Sequence, residues 1–218
     1  MNSVAENVAS YLSKLPRHVQ LVAVSKTKSA GVVGEAYSAG QRHFGENYVQ
    51  EICEKAPQLP SDILWHFIGH LQTNKVKQLI KAVRNLSMIE TVDSVKLADA
   101  IQTACLKVER DKIKVLVEVC TSNEGTKSGV DMKDVDSLVD HIRQRCDRLD
   151  FCGFMTVADP ATPITSFQTL ADLRDATCKR LGLTEMILSM GMSGDWEEAT
   201  RLGATEIRIG SAIFGSRS

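Results

Sequence analysis

Short apolar and β-branched runs recur along the chain, and stretches with helical spacing separate them. The runs at 20–25, 42–45, 64–68, 87–90, 114–119, 149–154, 186–188 and 206–209 predict eight strands. Between them, Val95, Ala98, Ile101 and Cys105 share one helical face. Val135, Leu138, Val139 and Ile142 do the same, as do Ile164, Phe167, Leu170 and Leu173. Each set predicts a helix with a single apolar stripe. Gly40 and Gly203 follow alanine-containing helical runs and are expected to cap them at positive φ.

Strands that alternate with helices form parallel βαβ units. Eight units predict an α/β fold, a single closed (β/α)8 TIM barrel, and 218 residues lies at the short end for one. An open doubly wound sheet is the alternative, but it usually carries a glycine-rich turn after its first strand. Here Ser25-Lys26-Thr27-Lys28 follows the first strand, with no glycine before Gly31. Residues 4–15 predict an extra N-terminal helix, expected to cover the bottom of the barrel. No linker, repeat or low-complexity tract divides the chain, so residues 1–218 read as one domain.

Composition narrows the function classes. Hydrophobic residues make up 43%, enough for a substantial core. The net charge of −1 argues against nucleic-acid binding by bulk charge. No apolar run reaches the roughly 18 residues a membrane span needs. The polar start of the chain lacks the apolar region of a signal peptide. Cys53, Cys105, Cys120, Cys146, Cys152 and Cys178 include no CxxC pair. That spacing suits free thiols in a reducing compartment, so a cytoplasmic location without a metal site is expected.

In a barrel the chemistry lies at the C-terminal ends of the strands. Alternation puts Val22, Val24 and Lys26 on one face, so Lys26 points inward if the valines do. Desolvation favours the neutral amine, the form that attacks a carbonyl. The plainer reading is a strand-end lysine reaching back to water. Two small-residue turns follow the last two strands, Ser189-Met190-Gly191-Met192-Ser193-Gly194-Asp195 and Gly210-Ser211-Ala212. Barrels often hold a phosphate at those two places, although Ser193 or Asp195 could simply cap a helix. Alternation along the last strand leaves Arg208 inside, where it needs a carboxylate or a ligand as acceptor. His66 and His70 are four apart but not helical, so His66 reads as a barrel-lining polar group rather than half of a metal pair. Asn47 with Gln50 resembles a capping box. Lys127 lies in the polar loop 121–129 after strand five, on the same barrel face as Lys26.

Several blocks carry a specific resemblance. They are Val22-Ala23-Val24-Ser25-Lys26-Thr27-Lys28, Gly45-Glu46-Asn47-Tyr48-Val49-Gln50-Glu51 and Trp65-His66-Phe67-Ile68-Gly69-His70. Gly125-Thr126-Lys127-Ser128-Gly129, Leu188-Ser189-Met190-Gly191-Met192-Ser193 and Arg208-Ile209-Gly210-Ser211 continue it to near the end of the chain. In these blocks the chain resembles the pyridoxal-phosphate homeostasis proteins. The resemblance implies a fold-type III barrel, like the N-terminal domain of alanine racemase. It implies pyridoxal 5′-phosphate (PLP) as cofactor, bound to Lys26 as a Schiff base. It places the phosphate on Ser189, Gly210 and Ser211 and on the Gly191–Met192 backbone. Arg208 would face the pyridine nitrogen, Asn47 would lie beside the ring, and His66 and Met155 would line the pocket.

The resemblance and the residues together lead away from catalysis. An arginine at the ring nitrogen leaves it unprotonated and weakens the electron sink. Alanine racemase has a second base, a tyrosine from another domain, and Tyr11, Tyr37 and Tyr48 all read as helical rather than as strand-end residues. The expectation is a monomer that buffers PLP and delivers it to recipient apo-enzymes, with no catalytic residues, nucleic acid or membrane. A PLP enzyme acting on amino acids and a lysine Schiff-base aldolase are the alternatives. Lys127 is expected either to assist release of the cofactor or to be a solvated loop lysine.

Overall fold

A computed structural model describes residues 3–122 and 128–215. The eight runs form parallel strands: β1 (Gln20–Val24), β2 (His43–Glu46), β3 (Leu64–Phe67), β4 (Leu86–Val92), β5 (Ile113–Glu118), β6 (Leu149–Met155), β7 (Ile187–Ser189) and β8 (Glu206–Ile209). Each pairs with the next, and β8 returns to β1 to close the barrel. The helices are α1 (Val4–Lys14), α2 (Ala30–Ser38), α3 (Val49–Lys55), α4 (Thr73–Ala82), α5 (Val95–Lys107), α6 (Val135–Arg145), α7 (Pro163–Leu181), α8 (Trp196–Arg201) and α9 (Ser211–Phe214). Serines cap three of them: Ser3, Ser29 and Ser94 accept from backbone N–H groups of α1, α2 and α5. Gly40 and Gly203 follow α2 and α8 at φ +101° and +103°.

Strand alternation divides the core in two. Leu21, Ala23, Phe44, Trp65, Phe67, Ile89, Val115, Val117, Phe154, Leu188, Ile207 and Ile209 join the helix stripes in one continuous apolar layer. Residues of the other parity fill the bore, where only Met88, Leu116 and Met155 form an apolar cluster. The rest of the bore is polar, with buried His66, Glu90, Glu118, Ser189, Glu206 and Arg208. Most of these buried polar groups are hydrogen-bonded to one another, with Glu206 Oε1 left open, so the bore is a polar network rather than a greasy filling.

The helical stripes hold at their centres and fail at their ends. Ala98, Ile101 and Cys105 are buried, but Val95 opens α5 and stays exposed, and Leu97 takes its place inside. Ile164, at the start of α7, is exposed for the same reason. α1 does not cover the bottom of the barrel. Its stripe of Val4, Val8 and Tyr11 packs it beside α2 and α9 in the outer layer. There Asn7 Nδ2 donates to the Ile213 carbonyl at 3.0 Å and the Tyr11 ring meets Trp196 edge-on.

Candidate functional site

Lys26 stands just past β1, half-buried, on a turn whose next residue, Thr27, has φ +65°. That conformation is strained for a residue with a Cβ, so its surroundings must hold it. They do so through one ammonium. Lys55 Nζ, at the end of α3, donates to the Ser25 carbonyl at 2.9 Å, to Glu46 Oε1 at 2.7 Å and to Glu51 Oε2 at 2.7 Å. Ser25 Oγ also donates to Glu46 Oε1, and the Thr27 N–H donates to Glu51 Oε2 at 2.8 Å. The residues before and after Lys26 are thereby tied to the same buried pair. Burial raises the Glu46 carboxyl above its usual range, against the pull of Lys55 and Ser25.

The side of the turn that carries Lys26 faces a cleft of about 490 Å³ at the C-terminal ends of the strands. Lys26, Asn47, Met155, Met192, Arg208, Gly210 and Ser211 all line it. Gly210 and Ser211 open the short α9, whose first amide N–H groups have no helical partner. Asn47 is not a cap: Tyr48 occupies the cap position of α3 without a side-chain bond, and α3 starts at Val49. The Asn47 Oδ1 atom is buried and has no hydrogen-bond partner among the described residues. A buried acceptor left open in this way costs free energy unless a ligand or water donor meets it.

Arg208 lies at the floor of the cleft and is almost fully buried. Its NH1 donates to Ser189 Oγ at 2.7 Å and its NH2 to the Thr156 carbonyl at 2.8 Å. Ser189 Oγ donates in turn to Glu90 Oε2 at 2.6 Å, and His66 Nδ1 meets Glu90 Oε1 at 2.7 Å. His43 Nδ1 completes the chain against His66 Nε2 at 2.9 Å. Burial opposes charge on Glu90, but the His66 hydrogen bond and the charges of His66 and Arg208 outweigh it and hold the carboxyl below its usual range. Burial and the neighbouring Glu90 push Glu206 well above its usual range. The pair therefore shares one negative charge, set between the His66 ring and the Arg208 guanidinium.

Three expected site residues sit elsewhere. The Ser189 hydroxyl is turned into the bore and spent between Arg208 and Glu90, so it does not line the cleft. His66 is held deeper in the same network, between His43 and Glu90. Gly191 points away from the cleft: at φ +98°, a Cβ there would meet the Cβ of Ala199 at 2.6 Å. Its role is to bring the chain tightly over α8 so that Met192, Ser193 and Gly194 reach the cleft. The Met192 amide is already spent on Asp195 Oδ1 at 2.7 Å. Ser193, read from sequence as a possible cap, is a cleft residue instead. Glu46, Lys55, Glu90 and Thr156 were not foreseen, because their partners come together only through the fold. Tyr48 is not helical but sits in the loop after β2, exposed and outside the cleft lining. Lys127 lies outside the described residues.

The family model for the alanine racemase N-terminal domain matches residues 1–218. The chain belongs to this family. It is 47% identical over 235 residues to the pyridoxal phosphate homeostasis protein of Bos taurus, covering all of this chain and 86% of the bovine one. The protein of that name from Vibrio alginolyticus is 37% identical over 236 residues, covering all of this chain and 99% of its own. Among solved structures, PipY of Synechococcus elongatus with PLP bound superposes with a TM-score of 0.88 at 34% identity. The match covers 98% of this chain and 100% of PipY. Alanine racemase from Corynebacterium glutamicum shares the fold, with a TM-score of 0.72 at 16% identity, over 98% of this chain and 60% of the racemase.

Proposed function

We propose that the protein binds PLP in the cleft, buffers this reactive aldehyde and hands it to recipient apo-enzymes. One observation carries the reading: a lysine amine and the turns after β7 and β8 converge on the same cleft, in the family of a PLP-bound neighbour. The residues present fit the cofactor. Lys26 supplies the amine for its aldehyde. Ser193, Gly194, Gly210 and Ser211 form a small-residue cup for its phosphate, with no carboxylate to repel it. Arg208 supplies a fixed charge beside the ring, and the open Asn47 Oδ1 supplies an acceptor. When bound, the cofactor supplies a carbonyl that condenses reversibly with amines.

The same lining supports storage over turnover. Among the described residues that line the cleft there is no Asp, Glu, His, Tyr or Cys, and Lys26 and Lys28 are its only lysines. A racemase or decarboxylase needs an acid–base group set against the lysine, and arginine does not give up its proton. Arg208 is held from behind by Ser189 and Thr156, so its charge stays fixed toward the cleft. A monomer in the cytoplasm completes the proposal.

Borohydride reduction of PLP-loaded protein, followed by peptide mass spectrometry, tests it. The expected result is one pyridoxyl group on Lys26, a yellow protein before reduction, and neither signal in Lys26→Ala. Adduct on Lys28 or Lys75 alone would overturn the site. Amino-acid racemisation or transamination at about 1 s⁻¹ or faster would overturn the storage reading in favour of an enzyme.

A further inference from the structure

Among the described residues, two groups of three donors bring their ligand atoms within 4.8 Å of one another. The first, His66 with Glu90 and Glu206, is sealed in the bore, and its charge is already matched by Arg208 through Ser189. The second lies on the outer helical layer, apart from the cleft lining, and mixes three donor types: Asp99 on α5, His141 on α6 and Cys146 at the end of α6. His141 Nε2 meets Asp99 Oδ1 at 2.7 Å, and Cys146 Sγ is 3.9 Å from the same oxygen. The Asp99 and His141 side chains are 55% and 25% exposed, and Cys146 is buried beneath them.

We propose that Asp99, His141 and Cys146 form a site for a zinc-class divalent ion, with water as the fourth ligand. Imidazole, carboxylate and thiolate are the donors zinc takes, at about 2.0–2.3 Å each. Around a tetrahedral ion such donors stand about 3.3–3.8 Å apart. The sulfur–oxygen pair, at 3.9 Å, must close slightly to reach that spacing. The nitrogen–oxygen pair must open by less than about 1 Å, which the exposed Asp99 side chain allows. The turn that presents Cys146 is also anchored independently of any metal. Gln102 on α5 accepts from the Arg148 N–H at 2.8 Å and donates to Asp147 Oδ1. Helix α5 and the end of α6 are therefore held in register, as a preorganised site requires.

Proton accounting closes without any redox step. Cys146 is buried, which favours the neutral thiol in the free protein. On binding, that proton leaves to solvent and the sulfur pair forms the metal bond. The proton between His141 Nε2 and Asp99 is displaced to Nδ1 through water, leaving Nε2 to the metal. The absence of a CxxC pair is compatible with this site, because its donors are 42 and 5 residues apart and meet only through helix packing.

The test is titration of the full-length protein with zinc alone and with cadmium alone. Zinc is followed by competition with a chromophoric chelator, and cadmium by the ultraviolet thiolate-to-metal band. The expected result is one equivalent of zinc bound, with affinity reduced at least tenfold in each of Asp99→Asn, His141→Gln and Cys146→Ser. The cadmium band is lost in Cys146→Ser and retained in the control Cys152→Ser. His141→Gln and Asp99→Asn nearly preserve shape at a half-buried and an exposed position, and their metal-free melting curves show whether they remain folded. Zinc should raise the wild-type melting midpoint by a few degrees and leave that of His141→Gln unchanged. Absence of stoichiometric zinc binding, or wild-type affinity in the folded His141→Gln and Asp99→Asn proteins, overturns the proposal.

Discussion

Ser189 and Arg208 meet inside the barrel: Arg208 NH1 donates to Ser189 Oγ at 2.7 Å, and the same hydroxyl donates onward to Glu90 at 2.6 Å. The hydroxyl joins a buried cation to a buried anion. Ser189→Ala removes both bonds at once and leaves each charged group short of a partner. The expected cost is about 1–3 kcal/mol of unfolding free energy, read from urea denaturation. PLP retention should fall too, because Arg208 loses one of the two hydrogen bonds that anchor it, leaving only the Thr156 carbonyl. An unchanged urea midpoint would mean that water replaces the hydroxyl without loss.

The brace behind Lys26 gives a sharper separation of stability from site geometry. Lys55→Met leaves Glu46 buried without its cation, a loss of about 3–5 kcal/mol where a buried pair is broken. The double variant Lys55→Met with Glu46→Gln removes the stranded charge and should recover much of that stability. It should not recover PLP binding, because the ammonium that joins the Ser25 carbonyl to Glu51 across the Lys26 turn is gone and only the Thr27 N–H bond to Glu51 remains. Recovery of both properties would show that the brace acts on folding alone.

Strand parity made much of this site legible. Period-two alternation pointed Lys26 and Arg208 toward the barrel interior, and both line the cleft together with the small-residue turns after β7 and β8. Parity cannot say which way a strand-end hydroxyl rotates: the resemblance implies a phosphate on Ser189, whose hydroxyl here lies between Arg208 and Glu90. It also cannot show that Lys55, a helix residue with ordinary amphipathic spacing, folds back under β1. Asn47 illustrates a third limit. Its capping-box pattern is genuine in sequence, but the chain is extended at Tyr48 and the helix starts too late for Asn47 to cap it. The fold itself was easier, because eight apolar runs with helical spacers admit few topologies.

His43 gives a pH dependence with a definite sign. Burial, then the neighbouring His66 and Lys114, lower it from its ordinary 6.5 to about 4. Between those values the unfolded chain binds a proton there that the folded chain does not. The contribution is therefore complete above about 6.5 and is lost as pH falls toward about 4. Urea midpoints measured across this window should fall with acidification, and His43→Gln should flatten the fall relative to wild type. Parallel slopes for the two proteins would place the acid sensitivity in the carboxylates.

Asn47 passes tightly against Gly69, in the loop after β3. A Cβ at Gly69 would stand 2.0 Å from the Asn47 carbonyl oxygen, so Gly69→Ala must push the two loops apart. The expected protein is folded but destabilised, by about 1–3 kcal/mol if the strain is comparable to an overpacked core. It should retain PLP less well than Asn47→Ala does, because the whole loop moves rather than one amide. Equal retention in the two variants would reduce the role of Gly69 to placing the Asn47 side chain.

The proposed phosphate cup separates backbone from hydroxyl contributions. Ser211→Ala removes one neutral donor, worth about 0.5–1.5 kcal/mol, or a several-fold loss in PLP affinity. At Gly210 an added Cβ would meet Val24 at 3.4 Å, an ordinary contact, so Gly210→Ala should fold normally and bind nearly as well. Gly210→Val projects further, and Gly210 lines the cleft, so the branched side chain should fill part of the cup and abolish retention. The measurement is equilibrium PLP binding by absorbance, with Lys26 intact in every variant. The expected order is Gly210→Ala, then Ser211→Ala, then Gly210→Val, from best to worst retention. If Gly210→Val binds as tightly as wild type, the phosphate does not sit against the turn after β8, and the Met192-Ser193-Gly194 turn must carry it alone.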